Sequence, residues 1–187
     1  RQDEKTKSKS IGVFQQSLLG CIEGINDLGV GNGCDISNAD GTIFAEVKNK
    51  HNTMNSSSAE ATFQKLQAVA DSHPNATCYL VQIIAKNSID ELWEGSFNHK
   101  YYSHPRVRII SGDRFYALLT GIPNAFQQLC EAIPRATQDY LNSIANTTVA
   151  GTTNVSVYSQ LSNNAQNNGR TLLEQVMADN FSTYTGF

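Results

Sequence analysis

The chain lacks an apolar run long enough to cross a bilayer, which takes about 20 residues, so no membrane-embedded role is expected. It also lacks an apolar core at its start. Arg1 to Ser10 is polar and charged where a signal peptide would be greasy, so no export signal is read there. Because the first residue is Arg rather than Met, the chain is expected to be a trimmed or partial product with N-terminal structure missing. Cysteine is sparse: Cys21, Cys34, Cys78 and Cys130 stand far apart with no Cys-x-x-Cys spacing, which argues against a zinc knuckle or a disulfide framework. Free thiols in a reducing cytoplasm fit better. A basic excess is missing too, since the formal net charge is −3. Non-specific nucleic-acid binding usually shows a basic face, so any such contact here must rest on local charge. Sequons at Asn55, Asn75, Asn146, Asn154 and Asn180 follow from an Asn- and Ser-rich composition, and no secretory segment supports glycosylation.

What is present suits one globular domain. Hydrophobic residues make up 40% and charged residues 17% of 187 positions, enough for one good core and without a second. No internal repeat is visible. A single domain is expected over residues 1–187, with residues 1–10 as a polar, unstructured lead.

The informative stretch runs from Gly33 to Lys50. Asn38-Ala39-Asp40-Gly41 is a cluster of turn formers, with Gly41 able to take a positive φ. Two extended segments should therefore fold back on each other. In the second, alternation places Ile43, Ala45 and Val47 on one face and Phe44, Glu46 and Lys48 on the other. Asp35, on the partner strand, reaches the same end of the hairpin. Three charged groups converging on an apolar scaffold are costly unless something binds there.

A hard divalent cation is the most economical occupant. Mg²⁺ accepts a few protein oxygens and keeps several waters, and Asp35 and Glu46 offer carboxylates while Lys48 can orient one of those waters. That is equipment for phosphodiester hydrolysis. Asp35, ten intervening residues, then Glu46-Val47-Lys48 resembles the active-site signature of the PD-(D/E)XK nuclease superfamily. The wording around it, Gly-Cys-Asp-Ile-Ser and Ala-Glu-Val-Lys-Asn-Lys-His-Asn-Thr-Met-Asn, is similar to that of type II restriction endonucleases that cut GGWCC. Cys34 stands where proline is usual, a departure common in the superfamily. A second acid-x-Lys triplet, Asp3-Glu4-Lys5, lies in the polar lead, where no strand can hold it. The bland alternative for Glu46 and Lys48 is a solvated strand face with a weak ion pair.

Around the hairpin, Ile11 to Leu28 carries Val13, Phe14, Leu18, Leu19, Ile22 and Ile25 at helical spacing, which predicts a helix ended by Gly29, Gly31 and Gly33. The resemblance implies that a helix before the hairpin often supplies an auxiliary acid, which makes Glu23 a secondary metal candidate beside its plainer role as a surface glutamate. After the hairpin, Asn49, Lys50, His51, Asn52 and Asn55 form a polar segment whose amides and amines suit phosphates and base edges. Ser57 and Glu60 match a capping box for a helix from Ser58 to Asp71. Cys78 to Ala85 reads as a strand buried on both faces, reached by a right-handed crossover.

Asn87 to His104 holds Trp93, Phe97, Tyr101 and Tyr102, rings that could stack on bases but of which most are expected to pack over the sheet edge. Arg106 to Ile110 alternates as a strand, Asp113 reads as an N-cap, and a short helix ends at Gly121. Pro123 and Pro134 are expected to open two further helices reaching Cys130 and Ala145. Val155 to Tyr158 is a short strand candidate. Ser162 to Arg170 reads as an amide-rich loop in which Arg170 and its neighbours either contact DNA or are simply solvated. A last helix is expected from Arg170 to Asn180.

The order fits an α/β sandwich with a central mixed β-sheet flanked by helices, as the resemblance also implies. Only two strands precede the crossover helix where three are common in the superfamily, so the third is expected near Val30 or not at all. The function expected is a Mg²⁺-dependent, site-specific endonuclease for double-stranded DNA, with Mn²⁺ as a substitute, Asp35, Glu46 and the Val47 carbonyl on the metal, and Lys48 at the water and phosphate. The resemblance further implies 5′-phosphate products, a bacterial cytoplasmic setting and a cognate DNA methyltransferase. A near-palindromic site is most simply read by a homodimer. Two rival readings are a junction or repair nuclease with the same site, and a non-catalytic DNA-binding protein in which the charged cluster is vestigial.

Overall fold

The computed structural model describes residues 14–29, 33–145, 162–171, 174–175 and 178–179, with no side-chain description at 134, 135, 137, 138 and 140–145. Its centre is a six-stranded mixed sheet in the order β1-β2-β3-β4-β8-β5. These strands are β1 (Ile25–Asp27), β2 (Ile36–Asn38), β3 (Ile43–Lys50), β4 (Thr77–Ile84), β5 (Asp90–Leu92) and β8 (Val107–Ser111). The neighbours β3, β4 and β8 run parallel, while β1, β2 and β5 pair antiparallel at the two flanks. A separate hairpin joins β6 (Gly95–Phe97) to β7 (Lys100–Tyr102).

The helices are α1, helical from 14 to 20, then α2 (Ser56–Ser72), α3 (Gly112–Thr120), α4 (Ala125–Ala145) and α5, helical from 162 to 167. One sheet face carries Ile36, Ala45, Val47, Val81, Ile83 and Ile110 against Leu19 of α1, Phe115 and Tyr116 of α3 and Phe126 of α4. The other packs Cys34, Cys78, Leu80 and Val107 against Phe63, Leu66 and Ala70 of α2. β4 lies between two parallel neighbours and is buried on both faces, which is why its sequence is almost continuously apolar, with Gln82 the exception in its interior, rather than alternating.

Several expectations from the sequence need correction. The helix placed over Ile11 to Leu28 ends at Gly20 among the described residues, and Ile22 and Ile25 belong to a turn and to β1. The third strand before the crossover therefore exists, at Ile25–Asp27 rather than near Val30. Their apolar side chains fit a helical stripe and also pack on the same core from extended backbone, so periodicity alone misplaced them. The cap of α2 is Asn55, whose side chain accepts a hydrogen bond from the Ser58 N–H, so no capping box from Ser57 to Glu60 is needed. The helix opens at Ser56 accordingly.

Pro123 lies in the turn that leads into α4, so a helix does open beside it, but Pro134 lies inside that one continuous helix instead of opening another. An interior proline removes one backbone hydrogen bond and crowds the carbonyl four residues back, a cost that this helix bears without ending. Asp113 sits inside α3, whose N-cap is Ser111; its carboxylate accepts hydrogen bonds from Ser111 Oγ and Ser88 Oγ. Ser162 to Arg170 is not a loop. Residues 162–167 are helical and end in a Schellman turn, with Gly169 at φ +63°, Gly169 N bonding Gln166 O and Arg170 N bonding Ala165 O. The strand proposed at Val155 to Tyr158 lies outside the described residues, as does the polar lead at 1–10; of the last helix, 174–175 and 178–179 are described and are helical.

Candidate active site

The hairpin forms as its residues require. Asn38 Oδ1 accepts from both Thr42 N and Ile43 N at 2.9 Å, and Gly41 takes φ +64°, which closes the turn between β2 and β3. Ile36 then pairs with Ala45 and Ser37 with Phe44. This register carries Asp35 past the end of β2 to the middle of β3, where its backbone N–H bonds Ala45 O at 2.9 Å and its Oδ2 accepts from Val47 N at 2.8 Å. A side chain has replaced a backbone carbonyl in the ladder. Asp35 is thereby fixed beside Glu46 and Lys48.

Alternation along β3 sends Ala45 and Val47 into the α3–α4 layer and Phe44 into the α2 layer. Glu46 and Lys48 face α2. Glu46 is 8% exposed, and both of its oxygens are held: Oε1 by Lys48 Nζ at 2.9 Å and Oε2 by Lys65 Nζ at 2.6 Å. Burial works against its charge, but hydrogen bonds from Lys65 and Lys48 and the charges of both ammoniums outweigh it and hold the carboxyl below the usual glutamate range. Asp35 goes the other way. Burial lifts its carboxyl above the ordinary aspartate value, Glu46 adds to the rise, and the Val47 N–H with the two lysines only partly offsets it. Neighbouring carboxyls with opposite shifts are a common mark of functional sites.

The donors suit a hard cation. Two carboxylates supply oxygen, and the adjacent Cys34 thiol is pushed up to about 12 by burial, reinforced by the thiol of Cys78, and so stays protonated as a poor soft ligand. No group of three or more His, Cys, Asp or Glu side chains gathers among the described residues.

The remaining sequence candidates divide into two groups. Asn49 and Lys50 continue β3 directly beyond Lys48, and His51 follows with its N–H on Ile84 O at 3.1 Å and its Nδ1 3.3 Å from the same oxygen. Asn52 is exposed in the same turn, and Asn55 spends its side-chain oxygen on capping α2. These five residues lie at the end of β3 and in the turn between it and α2. Glu23 stands apart, exposed in the turn before β1, two strands away from β3. Arg170 is also separate; it follows α5 and its guanidinium lies 3.4 Å from Gln175 Oε1.

Lys65 was missed in the sequence. Its signal is its place on the crossover helix, three residues after the buried Thr62 and next to the buried Leu66, which aims it at the strand that carries Glu46.

The family model described as Eco47II restriction endonuclease matches residues 1–142. The type II restriction enzyme Sau96I of Staphylococcus aureus is 38% identical over 197 aligned residues, covering 100% of this chain and 74% of that protein. The type II restriction enzyme Eco47II of Escherichia coli is 34% identical over 151, covering 76% of this chain and 63% of that protein. No solved structure matches the chain. With a family model that spans most of the sequence, and a relative 38% identical over the full chain, the chain belongs to the Eco47II restriction endonuclease family.

Proposed function

We propose that this protein hydrolyses double-stranded DNA at a short specific site of the GGWCC kind, with Mg²⁺ as cofactor and Mn²⁺ as a substitute, and leaves 5′-phosphates. The observation that carries the reading is the charged cluster on the α2 face of β3, where Lys48 Nζ lies 2.9 Å from Glu46 and Asp35 is pinned on Val47 N. This arrangement supports reading the cluster as a PD-(D/E)XK site. Asp35 and Glu46, with the Val47 carbonyl, would hold the ion. Bound there, it supplies a Lewis acid for a phosphoryl oxygen and lowers the pKa of an adjacent water.

The chain's own side chains do the rest. Lys48 carries its proton at Nζ, lets go of Glu46 Oε1 as DNA enters, and places a positive donor where charge gathers on the scissile phosphate. Water attacks phosphorus in line and gives up a proton to solvent, the bond to the 3′ oxygen breaks, and that oxygen takes a proton to become a 3′ hydroxyl while the phosphate stays on the 5′ oxygen of the other fragment. Asn49, Lys50, His51 and Asn52 extend from the same strand end and hold the duplex by phosphates and base edges. A nearly palindromic site calls for a twofold dimer with one cluster per strand, and a host carrying this enzyme needs a DNA methyltransferase to protect its own sites.

Digestion of unmethylated phage DNA with Mg²⁺, comparing the wild type with Glu46→Ala, tests this. Discrete fragments that vanish in the variant, with end sequences that give one site and 5′-phosphates, are expected. Cleavage confined to branched DNA would replace the reading with a structure-selective nuclease. Duplex binding with no cleavage in Mg²⁺ or Mn²⁺ would sink it.

A further inference from the structure

We infer that Lys65 is a positioning residue for the metal-binding carboxylate, a role that rests on the function proposed above and adds to it a residue outside the acid-x-Lys motif. Glu46 is bracketed by two ammoniums from different elements, Lys48 on its own strand and Lys65 on α2. They cannot serve the same purpose. Lys48 lies two residues along the same strand face and must be free to turn toward a phosphate. Once it leaves, Glu46 Oε1 loses its only described partner, and the carboxylate could rotate.

Lys65 prevents that rotation. Its contact with Oε2 is the shorter of the two, 2.6 Å against 2.9 Å. It also springs from a helix whose neighbouring side chains, Thr62 and Leu66, are buried against the sheet. The Lys65 side chain is 40% exposed, so its stem crosses the edge of the core while Nζ reaches inward. Glu46 is therefore clamped from the helix side on one oxygen and released from the strand side on the other. This fixes which oxygen faces the ion and which faces the protein, the usual task of a residue behind a metal ligand.

The charges agree with this arrangement. Asp35 and Glu46 are matched by Lys48 and Lys65, so the cluster is balanced before a cation arrives. Were Lys65 only a surface partner, a carboxylate 10% exposed would not need a second ammonium in addition to Lys48.

The test measures Mn²⁺ binding by calorimetry on chelator-treated protein, together with kcat and KM for cleavage, in the wild type, Glu46→Gln, Lys65→Met and Lys65→Arg. Expected are Glu46-dependent Mn²⁺ binding in the wild type and about 10–100-fold weaker binding in Lys65→Met. A comparable fall in kcat, an unchanged KM for DNA and recovery of most of the loss by Lys65→Arg complete the expectation. The melting temperature of Lys65→Met should fall by no more than about 4 °C, as for an exposed ion pair. Unchanged Mn²⁺ affinity and kcat in Lys65→Met would overturn the inference, as would a raised KM at constant kcat, which would make Lys65 a phosphate contact. Tighter Mn²⁺ binding would overturn it too, because the ammonium would then only repel the cation. If Lys65→Met does not fold, a folded Lys65→Arg that fails to keep Mn²⁺ affinity decides against it. Absence of Glu46-dependent binding in the wild type would instead bring down the proposed function itself.

Discussion

At the scale of single residues, the two lysines on Glu46 show what local sequence encodes and what it does not. Lys48 is legible because strand period is local: two residues along β3 return to the same face, so Glu46 and Lys48 must point together wherever the strand lies. Lys65 is 19 residues from Glu46 and meets it only after the crossover helix has packed. Helical spacing puts Lys65 on the sheet-facing side of α2, but it does not say that Glu46 stands opposite. The distinction yields a prediction for Lys48, whose proposed place is at the reacting phosphate. Lys48→Ala should lower the single-turnover cleavage rate by about 10²–10³-fold, the usual cost of removing one preorganised donor from developing charge. Duplex binding measured by gel shift in Ca²⁺ should persist, because Lys50 and the asparagines remain. Unchanged turnover would remove Lys48 from the mechanism.

At the scale of elements, the clearest example is the hairpin of β6 and β7 against the start of α2. Most of the aromatic residues between Asn87 and His104 were expected to pack rather than stack on bases, and three of them do turn inward: Trp93, Phe97 and Tyr102 surround Phe63 of α2. Tyr101 alone among these rings is 61% exposed. Packing won because the α2 layer offers a ring of its own to pack on, which a linear reading cannot see. Glu60 fastens this corner, accepting hydrogen bonds from Tyr102 Oη and Asn98 Nδ2. Asn98 N in turn bonds Ser56 Oγ at 2.8 Å. The Tyr102 hydroxyl, more than Asn98 and the nearby Lys100, holds the Glu60 carboxyl below its usual value, against a small opposing effect of burial.

A lowered folded-state value means that the clamp favours folding above the ordinary carboxylate pKa, and that the benefit fades as pH falls through the lowered one. Melting temperatures of the wild type and Glu60→Gln should therefore differ at pH 7 and converge on acidification below pH about 4. A gap that stayed constant with pH would mean that Glu60 acts through shape alone. Elsewhere, element boundaries escaped the sequence wherever one residue type suited two structures. Ile22 and Ile25 fit a helix stripe or a turn and strand, and Asn163 to Asn168 fit a loop until Ala165 is buried and Gly169 closes a Schellman turn.

At the scale of the whole molecule, the sheet separates two layers with different duties. The order of elements and the parallel crossover from β3 to β4 were legible, since a polar-edged helix between two apolar strands leaves few other arrangements. The flanking strands β1 and β5, three residues each, were not. Such short strands bury too little of their own sequence to leave a pattern, and sheet pairing defines them. The charged cluster lies entirely on the α2 side. The α3 layer is joined to the sheet at Gly112, where a Cβ would stand 2.6 Å from Ile83 O and 3.1 Å from Ile83 Cα. Backbone cannot give way there as a flexible side chain can, so only glycine lets α3 start this close to β4. Gly112→Ala should destabilise the protein by about 1–3 kcal/mol through overpacking. The damage enters from the face opposite the cluster. Calorimetric Mn²⁺ binding and cleavage below the lowered melting temperature should therefore stay near wild type, while the melting temperature drops by roughly 2–12 °C. If Gly112→Ala instead lost Mn²⁺ binding while still folded, the two layers would be mechanically coupled through β3 and β4, and the site would depend on both.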